Sequence, residues 1–128
     1  MAAAPTFTST PRLASTAIST ANTNRDGTGT LGSVITGVAA GTKVFEVVVE
    51  ATVTTTAGMV RLFIDDGTNV RLFDEIQVTA ATPSGTVSAF RARRTYDNLI
   101  LPSTSHILKA GTNNAEAANV FAFAADLT

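Results

Sequence analysis

The stretch KVFEVVVEATVT, residues 43–54, decides the fold class of this chain. Its side chains alternate, so that one set of alternate positions is wholly apolar and the other set is mostly polar. The apolar set is Phe45, Val47, Val49, Ala51 and Val53. Because successive side chains of a strand point to opposite faces of a sheet, this period of two predicts a strand with one buried face. A helix would instead place Glu46 and Glu50 on one face and would crowd the β-branched valines.

A β-hairpin is predicted directly downstream of this strand. Residues 59–65 and 70–79 both alternate, and the sequence DGTN separates them at residues 66–69. An Asp-Gly turn between two alternating segments is among the strongest local signals of a hairpin. Asp74 interrupts the apolar face of the second strand, so we expect a β-bulge near residues 73–75.

Further strands are predicted on both sides of this region, each bounded by residues that favour turns. They cover residues 13–21, 30–36, 86–96, 99–101, 105–110 and 120–127. Residues 111–118 are interpreted as a loop, with a single helical turn at residues 115–118 as the alternative. About eight strands without strand–helix–strand alternation predict an all-β, single-domain antiparallel β-sandwich. We expect a jelly-roll-like strand order, with an immunoglobulin-like order as the alternative.

The N-terminal residues 1–12 are interpreted as an extended arm that precedes a β-sandwich domain at residues 13–128. This segment contains Pro5 and Pro11 and shows no periodic pattern. Twelve extended residues reach up to about 40 Å, which exceeds the radius of gyration of about 14 Å expected for a domain of this size. Such an arm can touch a neighbouring subunit. A frayed terminus is the alternative interpretation.

The composition favours a surface that contacts other proteins. Charged residues make up 15% of the 128 residues, against roughly 25% in ordinary soluble domains, and the chain contains 22 threonines. An ordinary soluble β domain that uses threonine in place of charged residues is the alternative. The formal net charge of −1 indicates no basic field for nucleic acid. No signal peptide and no apolar run of roughly 20 residues is recognisable, so we expect no membrane partner.

No combination of residues predicts a reactive centre or a metal site. The chain has no cysteine, which excludes disulfides and thiolate ligands. Asp65 and Asp66 are the clearest carboxylate pair, and such a pair can bind Ca²⁺ or act as acid and base. Their position at a hairpin turn accounts for them, and their spacing matches no EF-hand loop. His106 is the single histidine, and no orienting acid or nucleophile is identifiable for it.

The one basic concentration, RARR at residues 91–94, has two interpretations. It could contact phosphate groups. In a strand, however, Arg91 and Arg93 point to one face and Arg94 to the other, so the charges do not form a stripe. We therefore favour pairing of these arginines with carboxylates. The residues together predict no catalytic, cofactor-binding or metal-binding site, no nucleic-acid partner, and a protein that is not an enzyme.

Several turn motifs occur in an order that resembles a family of small structural proteins of tailed bacteriophages. The motifs are NRDGTG at residues 24–29, TTTAGMVRLFIDDGTN at 54–69, NLILP at 98–102, TNNAEA at 112–117 and NV at 119–120. The resemblance covers roughly residues 21–126. The chain departs from the family pattern at residues 117–118, where a bulkier residue is expected, and at residues 124–125, where glycines are expected. The family has no catalytic residues to transfer.

This resemblance implies a component of a virion. The leading hypothesis is a capsid decoration, or cement, protein that is assembled in the host cytoplasm. It would bind the major capsid protein at the outer surface of the head as a homo-oligomer, with a trimer as one arrangement. A tail, neck or fibre component is the alternative within the structural class. A host-surface carbohydrate-binding module is a further alternative, although the absence of tryptophan and the single tyrosine argue against it.

Overall fold

The computed structural model describes residues 8–127, which form two four-stranded antiparallel sheets. The strands are β1 (Thr8–Ile18), β2 (Gly32–Thr36), β3 (Thr42–Ala51), β4 (Gly58–Asp65), β5 (Val70–Val78), β6 (Arg91–Leu101), β7 (Ile107–Thr112) and β8 (Ala118–Leu127). The first sheet has the order β1-β8-β3-β6, and the second has the order β2-β7-β4-β5. No helix occurs in this part of the chain, and so none that could span a membrane.

This strand order is that of a jelly roll. The first and last strands of the chain lie side by side, and each sheet alternates strands from the two halves of the sequence. Two interlocked Greek keys produce this arrangement. The prediction of a single-domain antiparallel β-sandwich is confirmed, and the strands follow the jelly-roll order, not the immunoglobulin-like one.

The core lies between the two sheets and consists mainly of aliphatic side chains. Val47 and Val49 are fully buried, as the alternation of β3 predicts. The prediction for Phe45 was wrong, because its side chain is 39% exposed while Val44 is fully buried. The pairing of β3 with both of its neighbours shifts between Val44 and Glu46, which inserts one extra residue and reverses the alternation at this point.

The β4–β5 hairpin forms as predicted, including its bulge. The register passes from Leu62 opposite Asp74 to Phe63 opposite Leu72, so Phe73 is the unpaired residue of the bulge. Gly67 in the turn has φ of +93°, a backbone conformation that side chains rarely adopt. The hairpin therefore follows from local sequence alone.

Most strand boundaries differ from the sequence prediction by a few residues; β3, for example, ends at Ala51 and leaves Val53 outside it and 40% exposed. Three differences are larger. The first strand begins at Thr8, so the sheet includes the last five residues of the predicted arm, while residues 1–7 lie outside the described part of the chain. The strands predicted at 86–96 and 99–101 are one strand, β6, which begins at Arg91. The alternative helical turn at residues 115–118 is not formed, and Ala118 begins β8.

Candidate interaction surface

The outer face of the first sheet carries exposed apolar side chains where a polar surface is usual. Leu13 is 66% exposed, Ile100 44%, Phe123 41% and Phe45 39%. An antiparallel sheet with one buried face normally alternates with polar residues on the other face. Single exposed apolar residues are common, but a group on one face indicates a contact surface. We call this surface the outer face.

The apolar residues of the outer face are concentrated on β1 and β8. In the register of these strands, Leu13 lies opposite Phe123 and Ser15 lies opposite Phe121. The apolar members of this region, which we call the apolar strip, are Pro11, Leu13, Ala17, Phe121 and Phe123. The strip is uncharged and borders the free edge of β1.

The other half of the outer face, on β3 and β6, is charged but balanced. Arg91 Nη1 lies 3.2 Å from Glu50 Oε1, and Arg93 Nε lies 3.6 Å from Glu46 Oε1. Both arginine side chains are mostly exposed, so these ion pairs contribute little to stability. Lys43 Nζ lies 5.7 Å above the ring centre of the neighbouring Phe45. The ion pairs neutralise this half of the face without giving it a strong field.

The prediction that the RARR cluster divides between two faces and pairs with carboxylates is confirmed. Arg94 points away from Arg91 and Arg93, and its Nε lies 3.4 Å from Asp74 Oδ2. Arg94 Nη2 also donates a hydrogen bond of 2.8 Å to the backbone carbonyl of Glu75. The arginines of the cluster therefore contact carboxylates of β3 within their own sheet and of β5 in the opposite sheet.

Tyr96 strengthens the connection between β6 and β5. Its hydroxyl donates a hydrogen bond of 2.9 Å to Asp74 Oδ2, and its ring centre lies 5.3 Å from that of Phe73. Burial of the ring, followed by the contact with Asp74, raises the pKa of Tyr96 above its usual value of 10.0. The contacts of Tyr96 with Asp74 and Phe73 therefore connect the two sheets where β6 and β5 form their edges.

The outer face of the second sheet is covered by the chain itself. Arg61 is 6% exposed there, and its guanidinium bonds Glu75 Oε2 at 3.2 Å and Asn113 Oδ1 at 3.1 Å. The segment between β1 and β2 crosses this face, where Arg25 forms an ion pair with Glu75. Gly27 lies so close to Val70 that an added Cβ would be 2.4 Å from its carbonyl oxygen. Of the two sheets, the first therefore offers the open apolar face.

The same crossing segment is held by the buried side chain of Asn22. Its amide nitrogen donates to the carbonyl oxygens of Thr28 and Thr30, each at 3.0 Å. Its backbone N–H donates to the carbonyl oxygen of Thr112 at 2.8 Å. These hydrogen bonds hold the crossing segment in place, and it covers much of the outer face of the second sheet.

The carboxylates singled out in the sequence serve the hairpin turn. Asp65 accepts hydrogen bonds from Lys109 Nζ and from the Gly67 N–H, which together lower its pKa, with Lys109 as the larger cause. Asp66 accepts hydrogen bonds from the backbone N–H groups of Asn69 and Thr68, which lower its pKa. Between residues 8 and 127, no three His, Cys, Asp or Glu side chains are grouped to hold a metal ion.

His106 makes a local contact within its own turn. Its Nδ1 lies 2.7 Å from the Oγ of Ser103, three residues earlier. A cavity of about 160 Å³ lies beside the end of β1, and its lining includes Thr20, Thr30 and Gly111 but no titratable side chain. A second cavity, of about 10 Å³, lies between the sheets. His106 lines neither of them.

The sequence predictions did not identify the apolar strip, although a signal for it is present. In β8, Val120, Ala122 and Ala124 face the core, while Phe121 and Phe123 occupy the intervening positions. A strand that is apolar at both sets of alternate positions must bury one set elsewhere or expose it. Only the sheet order shows that the phenylalanines of β8 lie on the open side.

Comparison of the chain with models of known protein families and with curated proteins gave no match.

Proposed function

We propose that this chain is a bacteriophage structural protein, specifically a capsid decoration protein that binds the outside of the assembled head through its outer face. The observation that carries the proposal is the apolar strip on β1 and β8, with Leu13 66% and Phe123 41% exposed. The resemblance of its turn motifs to small phage structural proteins supports the choice of partner. The proposed partner is the major capsid protein.

Binding to an assembled head is favoured by a preformed surface, and the outer face is such a surface. It is one side of a four-stranded sheet whose other side packs in the core, so it loses little conformational entropy on binding. Specific protein interfaces bury about 800 Å² on each partner, with apolar side chains at the centre and polar groups at the rim. On the outer face the apolar strip has the Glu50–Arg91 and Glu46–Arg93 pairs on one side and the free edge of β1 on the other.

Such binding would stabilise the head by mass action. A protein that binds the assembled lattice but not free capsid subunits shifts the equilibrium toward assembly by RT ln(1 + [L]/Kd). This amounts to about 2.7 kcal/mol per site when the free concentration is about 100 times Kd. Because the apolar strip is uncharged and Arg91 and Arg93 are paired with Glu50 and Glu46, the binding should depend only weakly on salt.

A tail, neck or fibre component would use the same surface and differs in copy number. Quantitative mass spectrometry of purified particles distinguishes them. A decoration protein is present in hundreds of copies per particle, whereas a ring or fibre protein is present in about a dozen or fewer. A carbohydrate-binding role would stack sugars on exposed aromatic rings that also offer hydrogen-bonding groups. The single tyrosine, Tyr96, is held by Asp74 and Phe73, and the exposed rings of the outer face, Phe45 and Phe123, carry no hydrogen-bonding group.

The direct test is binding to heads assembled from the major capsid protein encoded in the same genome. The double variant Leu13→Ser/Phe123→Ser removes the two central side chains of the strip. The matched control, Val53→Ser/Val87→Ser, removes two apolar side chains that are 40% and 53% exposed elsewhere. We expect the first variant to bind at least about tenfold more weakly in co-sedimentation and the control to bind normally. Equal binding by both variants would contradict the proposal.

A further inference from the structure

The four edge strands of the sandwich differ in how they are protected from pairing with another chain. β1 and β6 are the edges of the first sheet, and β2 and β5 are the edges of the second. An edge strand presents unpaired N–H and C=O groups, and proteins usually protect it by short length, bulges, proline or charged side chains.

Three of the four edges carry such protection. In β6 the pairing with β3 passes from Thr95 directly to Leu99, which leaves residues 96–98 as a bulge, and three arginines precede it. β5 is interrupted by the bulge at Phe73, and the Glu75 carbonyl on β5 accepts a hydrogen bond from Arg94. β2 is only five residues long, and its register also shifts.

The second half of the β1 edge is the exception, because Pro11, Arg12 and the register shift between Thr8 and Thr10 lie in its first half. β1 is 11 residues long, and its register against β8 is unbroken from Thr10 to Ile18. Within residues 8–127 its backbone pairs with β8 alone. The exposed side chains of its second half, Leu13, Ser15 and Ala17, are small or apolar and carry no charge.

Pro11 and the alternation of the strand define which backbone groups are free. Proline lacks an N–H and is tolerated in an edge strand where its nitrogen points away from the sheet. Backbone groups two and four residues further along point the same way, so Leu13, Ser15 and Ala17 present their N–H and C=O groups to the free edge. Pro11 ends this usable stretch on one side, and Ile18, the last residue of β1, ends it on the other.

We propose that the β1 edge is the self-association site of the protein, and that two copies pair through it in antiparallel orientation about a two-fold axis at Ser15. Leu13 then lies opposite Ala17 of the partner subunit, and the reverse pair completes the contact. The usable stretch is symmetric about Ser15, as an isologous interface requires. The two first sheets become one eight-stranded sheet, and the two apolar strips adjoin.

The same comparison of edges predicts that association stops at two copies. Two-fold pairing uses the β1 edge of both copies. The remaining edges are the protected ones, β2, β5 and β6. A closed dimer therefore forms and not a fibre. This arrangement is two-fold, unlike the trimer considered from the sequence. The inference does not rest on capsid binding, because it concerns the purified protein alone.

The absence of cysteine from the chain permits a sharp test by cross-linking. Directly opposed residues of a hydrogen-bonded antiparallel pair have Cα atoms about 5.5 Å apart, within the range a disulfide spans. We expect the variant Ser15→Cys to form a covalent dimer under mild oxidation. The matched control Thr95→Cys, an exposed hydroxyl residue on the protected β6 edge, should remain largely uncross-linked. Equal cross-linking of the two variants would overturn the proposal.

Sedimentation equilibrium of the unmodified chain gives the second readout, at concentrations on the order of 10 to 500 µM. We expect a monomer–dimer equilibrium whose dissociation constant rises at least about tenfold in Ser15→Lys, because two ammonium groups then face each other across the axis. Thr95→Lys should leave the equilibrium unchanged, and circular dichroism checks that both variants fold. A monomer at all concentrations, a trimer, or a dimer insensitive to Ser15→Lys would each refute the β1 interface.

Discussion

Leu13 on β1 lies directly opposite Phe123 on β8, and both side chains remain open to solvent on the outer face. A cross-strand apolar pair of this kind contributes roughly 0.2–1 kcal/mol to the sheet. Leu13 stays 66% exposed and Phe123 41% exposed. The pair therefore adds modestly to the fold and substantially to the surface that the proposed function requires.

Because Leu13 serves the surface and Leu62 the core, substituting them by alanine should change the free energy of unfolding by different amounts. Leu62 is fully buried in the core, so Leu62→Ala should lower the free energy of unfolding by about 2–5 kcal/mol. Leu13→Ala, at a position that is 66% exposed, should lower it by less than about 1 kcal/mol. Urea unfolding followed by circular dichroism measures both. Similar losses for the two variants would show that Leu13 is covered in the folded protein.

Substitution of Gly27, in the segment that crosses between β1 and β2, should destabilise the fold strongly. Gly27 has φ of +87°, and an added Cβ would meet the carbonyl oxygen of Val70 at 2.4 Å. Gly27→Ala should therefore lower the free energy of unfolding by about 1–3 kcal/mol. Gly85→Ala is the matched control, because its added Cβ would meet nothing within 4 Å. Thermal unfolding of the two variants tests this, and a neutral Gly27→Ala would mean that the segment lies elsewhere.

Tyr96 predicts a loss of stability at high pH. Its pKa is raised in the folded state by burial and by Asp74, whereas the unfolded chain releases the proton near its usual pKa of 10.0. The contribution of the protonated hydroxyl is thus complete below pH 10 and is lost as the pH rises above it. Tyr96→Phe should reduce the steepness of this alkaline loss. Urea midpoints between about pH 8 and 11 measure the effect, and identical profiles would contradict it.

The carboxylate of Asp65 in the hairpin should make the protein less stable as the pH falls. The pKa of Asp65 is lowered by Lys109 and by the Gly67 N–H, so its stabilising contribution is present above its ordinary pKa of 3.8 and is lost as the pH falls below it. Asp65→Asn should therefore flatten the decline of the unfolding midpoint between about pH 5 and 2. Asp97→Asn, which changes an exposed carboxylate on β6, is the matched control. A decline as steep in Asp65→Asn as in the unsubstituted protein would exclude Asp65 as a source of the acid sensitivity, and equal flattening by the control would show that the effect is not specific to the Asp65 contacts.

Features that depend on neighbours in the sequence were predictable. The alternation of residues 47–51, the hairpin turn at residues 66–69 and the bulge at Phe73 all arise from backbone preferences and side-chain period over fewer than about a dozen residues. The division of Arg91 and Arg93 from Arg94 follows from the same period of two. These predictions needed no knowledge of which strands lie side by side.

What the sequence by itself determined is therefore an all-β chain with its strands, turns and most of its buried positions. Only the tertiary structure decided the jelly-roll order, the exposure of Phe45 in place of Val44, and the open apolar strip beside β1. The physical reason is that these depend on pairing between distant segments, such as β1 with β8, whose register and neighbours no local pattern encodes. A strand that is apolar on both faces becomes core or surface according to what packs against it.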